Sequence, residues 1–416
     1  MEMELISREN IKPATPTPPH LRIYPLSFID HIISPNYIPF LFFYSRNDSD
    51  SQDQTFKISK LKKSLPKVLC RYYPLAGTFR DQVSIDCNDQ GVSLLVTRLT
   101  CNLSSILLNP TEASLNPLFA DELQWKAFNS YLVAIQINCF ACGGMAISVC
   151  MCHKAGDAAT LSNFVNDWAT LNREQEDEFT LLPFPVPGAS FFPQGDLPLF
   201  PEIVFVPNDI VCRRFVFEGP KIDSLKATVS SHNVRNPTRV EVVSALIYKR
   251  AVSALGLSFK TTSLRSAVNL RRRTIPPLPE KTMGNFVWSM LVDTSETELH
   301  ELVLKMKEGL SAFCDSYAKK FGEKERDLSF ITEALKRATS GPEPRGLERQ
   351  TNSLFFYSSW CGMRMYEVDF GWGKPIWSTT SWCPARNIII LMDTRDGGGI
   401  EAIVNMEDRD MARKEA

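Results

Sequence analysis

The sequence is short of the features that mark several large protein classes. Lys and Arg (46) nearly cancel Asp and Glu (47), leaving a net charge of -1, and no Lys/Arg block forms a basic stripe. No field therefore gathers phosphate backbones, and a nucleic-acid partner is not expected. The N-terminus, MEMELISRENIKPATPTPP, lacks an apolar h-region, so neither a signal nor a transit peptide is predicted. The only uncharged run of membrane length, Phe128 to Cys152, contains Gln136, Asn138, Gly143 and Gly144, and its apolar residues partly alternate. A lipid-spanning helix shows no such pattern, and no membrane partner is expected. There is no G-x-S-x-G, no G-x-x-x-x-G-K-[ST] and no strand-linked G-x-G-x-x-G. Triad hydrolysis, nucleoside triphosphate chemistry and dinucleotide chemistry lose their usual signatures. Two spaced ligand pairs for zinc are also missing. Cys139-x-x-Cys142 and Cys150-x-Cys152-His153 would point thiols to alternating strand faces, so no metal is expected. Eleven irregularly spaced cysteines without a secretory signal read as reduced thiols of a cytoplasmic protein.

What is present suggests an α/β protein of two domains, since 416 residues exceed one ordinary core. YLVAIQINCF (131–140) reads as a strand, CGG as a turn and MAISVCMC (145–152) as a second strand. This uncharged hairpin ends at His153, one of only five histidines. Leu161, Phe164, Val165, Trp168 and Leu171 then recur at helical spacing, predicting a helix over 158–173. Residues 174–207, acidic and then rich in Pro and Phe, read as a crossover linker between domains 1–173 and 208–416. Beyond it, 238–255 reads as a helix with Thr238 as N-cap. SLRSAVN reads as a strand, 298–340 as mostly helical, and NIIILMDTRDGGGIEAIVNM as a closing hairpin.

His153, Lys154 and Asp157 crowd the strand-to-helix junction. A histidine there suits proton transfer from a hydroxyl at neutral pH, but a buried, satisfied histidine fits the spacing equally well. Asp157 precedes the helix and reads as its cap as readily as a functional acid. DFGWGKP (369–375) sets Trp372 between two glycines and reads as a turn beneath a core tryptophan. No V-A-I-K or H-R-D accompanies it, which excludes a kinase. In AVNLRRR (267–273), Arg271 shares the alternating face of Asn269 and is placed to pair with a buried acid such as Asp157.

His153-Lys154-Ala155-Gly156-Asp157 matches H-x-x-x-D, and Asp369 to Gly373 matches D-F-G-W-G. With LSFID (26–30), YYPLAG (72–77), CNDQGV (87–92), AVNLRRR, MGN (283–285) and LMDTR (391–395) in order, the chain resembles the BAHD acyl-CoA-dependent acyltransferases of plant specialised metabolism. The resemblance implies two similar mixed-sheet domains of the chloramphenicol acetyltransferase type, joined by a long crossover with a solvent channel between them. DFGWG would sit in the C-terminal domain. It implies that His153 is a general base, with Asp157 and Asp369 completing the motifs usually labelled catalytic. Arg271 and Trp372 would give structural support, and Lys249 and Ser244 would meet acyl-CoA. No permanent cofactor is implied; acyl-CoA is a co-substrate, the other partner is a small-molecule alcohol, and the enzyme is a monomer.

Ala158 stands where many members have glycine. With CNDQGV, SSWC and DFGWGKP, it points toward the branch of alkaloid O-acetyltransferases and an acetyl donor. Two other readings stay open. One is a volatile-ester alcohol acyltransferase. The other is a truncated, non-catalytic acyl-CoA-binding protein, because family members continue past the closing hairpin whereas this chain stops in EDRDMARKEA.

Overall fold

A computed structural model of the chain describes residues 2–46, 53–128, 130–173, 185–194, 210–256, 262–318 and 354–412. The chain divides into two compact units. The first comprises 1–202, 281–285 and 363–381, and the second 203–280, 286–362 and 382–416.

The uncharged hairpin lies at the centre of the first unit. Val133–Phe140 and Met145–Cys152 pair antiparallel within a six-stranded sheet, in the order Met3–Ile11, Val92–Leu99, Val133–Phe140, Met145–Cys152, Tyr37–Tyr44, Trp377–Thr379. Every residue of the two hairpin strands is buried, which explains a run without charge. Two of its polar side chains are hydrogen-bonded. Gln136 Nε2 donates to the Pro117 carbonyl at 2.9 Å, and Asn138 Nδ2 donates to the Leu118 carbonyl at 2.9 Å. Gly143, with φ of 84°, makes the turn between the strands. Helix Gln54–Arg71 packs against helix Ala158–Arg173 through buried Leu61, Leu65, Leu161, Phe164 and Trp168.

The second unit is also built on a six-stranded mixed sheet. Its order is Ile210–Phe217, Ile400–Glu407, Ile388–Asp393, Leu354–Ser359, Ser263–Asn269, Val287–Asp293. Helices Gly219–Ser230, Arg239–Ala254 and Leu299–Phe313 pack together in this unit. Thr238 caps its helix in a capping box with Glu241, as the sequence pattern predicts.

Two boundaries differ from the sequence reading. The DFGWG loop belongs to the first unit, not to a C-terminal domain. Trp377–Thr379 joins the first sheet beside Tyr37–Tyr44 and draws residues 363–381 with it. Of the expected linker 174–207, residues 174–184 and 195–207 lie outside the described residues. The described part, 185–194, belongs to the first unit. Val186–Pro187 pairs with Thr282–Met283, and Phe192 is fully buried against Phe28 at 5.7 Å between ring centroids. Its apolar side chains were the sequence signal for packing. Of the helical stretch expected over 298–340, Leu299–Phe313 is helical, and residues beyond 318 lie outside the described residues.

Candidate functional site

Cys152 ends the second hairpin strand, and residues His153–Ala155 form a single 3-10 turn. The His153 N–H donates to the Asn36 carbonyl at 2.7 Å, so the neighbouring segment fixes where the strand stops. The chain then passes Gly156, where an added Cβ would lie 2.7 Å from Thr160 Cγ2. Only glycine lets the turn run this close to the helix that follows. Asp157 Oδ1 accepts the Thr160 N–H at 2.9 Å, which satisfies a donor at the start of helix Ala158–Arg173. Asp157 is 2 % exposed and serves the helix.

A distant segment covers this junction. Residues Lys281–Asn285 belong to the first unit although the chain on either side belongs to the second. The Gly284 carbonyl accepts from Thr160 Oγ1 at 2.8 Å and from the Asp157 N–H at 3.3 Å. Lys281 pairs with Asp167 at 2.6 Å. Asn285 Nδ2 donates to the His153 carbonyl at 2.7 Å and to Asp30 Oδ1 at 2.9 Å. Thus His153 is held by Asn36 at its N–H and by Asn285 at its carbonyl.

His153 keeps some accessible surface, although its ring is densely surrounded by protein. That burial pushes its pKa below the ordinary imidazole value. Its own main chain, the Asp157 charge and the Asn285 side chain pull more weakly in the opposite direction. The imidazole is therefore uncharged at neutral pH and able to accept a proton. Lys154, next in sequence, is buried with its ammonium 5.7 Å from the centre of the Phe79 ring.

The second motif serves another purpose. Asp369 Oδ1 accepts the Gly371 N–H at 2.7 Å and the Gly373 N–H at 3.0 Å. Both glycines have positive φ, 104° and 105°, so the loop winds around the carboxylate in a form that favours glycine. Phe370 packs edge-on to Trp168 at 4.9 Å and stacks on Trp372 at 5.6 Å, and the Tyr44 hydroxyl donates to the Val368 carbonyl at 2.9 Å. Trp372 is 5 % exposed, with the Lys57 ammonium 5.5 Å from its ring. In this geometry Asp369 holds its own loop, and Trp372 belongs to an aromatic cluster.

The remaining predicted residues lie in the second unit. Arg271 is buried with its guanidinium 4.6 Å from the Phe286 ring centre. Lys249 and Ser244 share helix Arg239–Ala254. Lys249 is partly exposed and lies 3.7 Å from Glu298, whereas Ser244 is buried. Reading the sequence residue by residue missed Asp30, Thr160 and Asn285. The signals were there: S-x-x-D before an apolar run in LSFID is a capping pattern, and MGN stands out after a proline-rich loop.

The Transferase family model matches residues 1–415. Stemmadenine O-acetyltransferase of Catharanthus roseus is 34% identical over 423 residues, covering 99% of this chain and 96% of that protein. Limonoid 7-O-acetyltransferase of Citrus sinensis is 35% identical over 450 residues, covering 99% and 95%. The crystal structure of vinorine synthase superposes with a TM-score of 0.83 at 31% identity, covering 99% of this chain and 96% of that one.

Proposed function

The chain belongs to the Transferase family of acyl-CoA-dependent BAHD acyltransferases, and from that premise we propose that it moves an acetyl group from acetyl-CoA to a hydroxyl of a plant alkaloid, with His153 as general base. The relatives are named for acetyl transfer to alkaloid and limonoid acceptors, and the branch marks Ala158, CNDQGV and SSWC favour the alkaloid side. One observation carries the mechanism. A rigidly seated histidine with a lowered pKa stands at the end of a buried strand.

The acceptor oxygen attacks the thioester carbonyl while its proton passes to His153. The tetrahedral intermediate expels the CoA thiolate, which takes the proton back from His153, leaving an ester and free CoA. No acyl-enzyme forms. A positioned base of this kind contributes about 10²–10⁴-fold, and holding both substrates in line contributes further. Lys249 supplies a cation suited to the CoA phosphates, and its partner Glu298 is exposed enough to give way. Ser244, about one turn and a half before Lys249 on the same helix, is buried. All eleven cysteines are free, which supports a reducing, cytoplasmic setting. A monomer is the expected state.

The test is CoA release from acetyl-CoA across indole alkaloids, limonoid alcohols and simple alcohols, with wild type beside His153→Ala. Alkaloid-dependent turnover abolished in a folded His153→Ala protein is the expected result. Turnover confined to limonoids or simple alcohols overturns the acceptor, and full turnover without His153 overturns the base.

A further inference from the structure

We propose that Asp30 and Asn285 form a buried clamp that positions His153 for the transfer, a positioning role that rests on the reading of His153 as the base. The two residues lie 255 apart in sequence, in LSFID and MGN, stretches that the chemistry above does not otherwise use. Asp30 is 1 % and Asn285 0 % exposed.

The carboxylate of Asp30 is fully occupied. Oδ1 accepts the Asn285 N–H at 2.6 Å and Asn285 Nδ2 at 2.9 Å. Oδ2 accepts the Ser27 N–H at 2.8 Å and the Ser27 hydroxyl at 2.7 Å. Four donors converge on two oxygens, a pattern that only an acceptor-only, ionised group satisfies throughout. No cation forms an ion pair with it among the described residues; the titratable group facing it is the Tyr24 phenol, whose hydroxyl donates to the Met283 carbonyl at 3.3 Å. Burial raises the carboxyl to about 6, against the pull of the Ser27 and Asn285 hydrogen bonds.

A helix cap alone does not explain this arrangement. Oδ2 completes the capping box of Phe28–Ile32, but a five-residue helix has no use for Oδ1. That oxygen turns instead to the segment that holds His153. Gly284, at φ of 122°, lets the main chain approach, since an added Cβ would sit 3.2 Å from both carboxylate oxygens. Asn285 then passes the constraint on through its bond to the His153 carbonyl. Among the described residues, two buried atoms of this pair are left without a hydrogen-bond partner, Asn285 Oδ1 and His153 Nδ1. One is an acceptor, and the other is a donor in one of its tautomers. A small ring rotation that joins them would hold the proton on Nδ1 and leave Nε2 as the base.

The experiment is an Asp30→Asn exchange, which keeps the shape but replaces one acceptor with a donor. It is read by the ¹⁵N-correlated NMR titration of the imidazoles, which needs no acceptor substrate, and by kcat and KM with acetyl-CoA and the acceptor found above. Expected are a shifted His153 titration, kcat down at least about tenfold, and KM for acetyl-CoA within about twofold. A His153 titration and kcat that both superimpose on wild type overturn the clamp. Should Asp30→Asn not fold, Ser27→Ala withdraws one donor and keeps the carboxylate. It should move the His153 titration in the same direction by less, and no movement overturns the proposal. If His153→Ala itself retains turnover, the base assignment fails whatever the NMR titration shows, so the two readings fail separately.

Discussion

Two short motifs, each ending or beginning in an aspartate, are built in opposite ways. The His153–Asp157 junction is assembled from afar, with Asn36, Gly284 and Asn285 each bonded to it. The Asp369–Gly373 loop winds around its own carboxylate, which among the described residues accepts only the N–H groups of the loop's glycines. The first arrangement fixes the main chain that carries His153 against several elements, which gives proton transfer a defined starting point. The second fixes a loop and presses two rings into a core. Equal prominence in the sequence therefore conceals unequal roles, and substitutions should separate them.

The largest expected effect is His153→Ala, with kcat lower by about 10²–10⁴-fold while the denaturation midpoint changes little. Steady-state kinetics beside a urea melt would show this, and a large stability loss with modest kinetic damage would erase the contrast. Trp372→Ala should do the reverse. Removing a tryptophan that is 5 % exposed from contact with Tyr44 and Phe370 should cost about 3–5 kcal/mol of stability. Below its melting range, the protein should still turn over.

Dependence on pH sharpens the junction. Because burial lowers the His153 pKa, kcat/KM should fall on the acid side with a midpoint below the ordinary imidazole value. A midpoint above that value would contradict the burial seen here. The stability linkage has opposite signs at two neighbouring groups. His153 binds protons more weakly in the folded chain, so its contribution is present above the unfolded imidazole value and is lost as pH falls through the folded one. Asp30, raised from 3.8 to about 6, contributes stability below pH 3.8 that is lost as pH rises toward about 6. Urea midpoints from pH 4 to 7 for wild type and Asp30→Asn should isolate the second slope, and parallel curves would show that it is absent.

Much of this contrast was legible in the sequence. The uncharged hairpin, its glycine turn and the helix after His153 follow from periodicity and punctuation, because burial and turn geometry act locally. The placement of DFGWG was not legible. Its unit is decided by Trp377–Thr379 pairing with Leu41–Phe43, a contact between segments more than three hundred residues apart. Asn285 escaped for the same reason. An asparagine in a three-residue motif acquires meaning only when the chain returns to lay it beside Asp30 and His153. Asp157 could be read as cap or acid from spacing, and only the bond from the Thr160 N–H shows the cap.

The smallest effect tests the comparison most finely. The Tyr44 hydroxyl, on a strand of the first sheet, donates to the Val368 carbonyl one residue before Asp369, and both residues are buried. Tyr44→Phe keeps the ring against Phe370 and Trp372 but leaves that carbonyl without its donor, at a cost of about 1–3 kcal/mol. If the loop is scaffold, the variant melts a few degrees lower with kcat within about twofold of wild type. If kcat falls tenfold while the melting temperature holds, the position of the loop matters to the reaction itself. The two motifs would then be one machine rather than a site and its support.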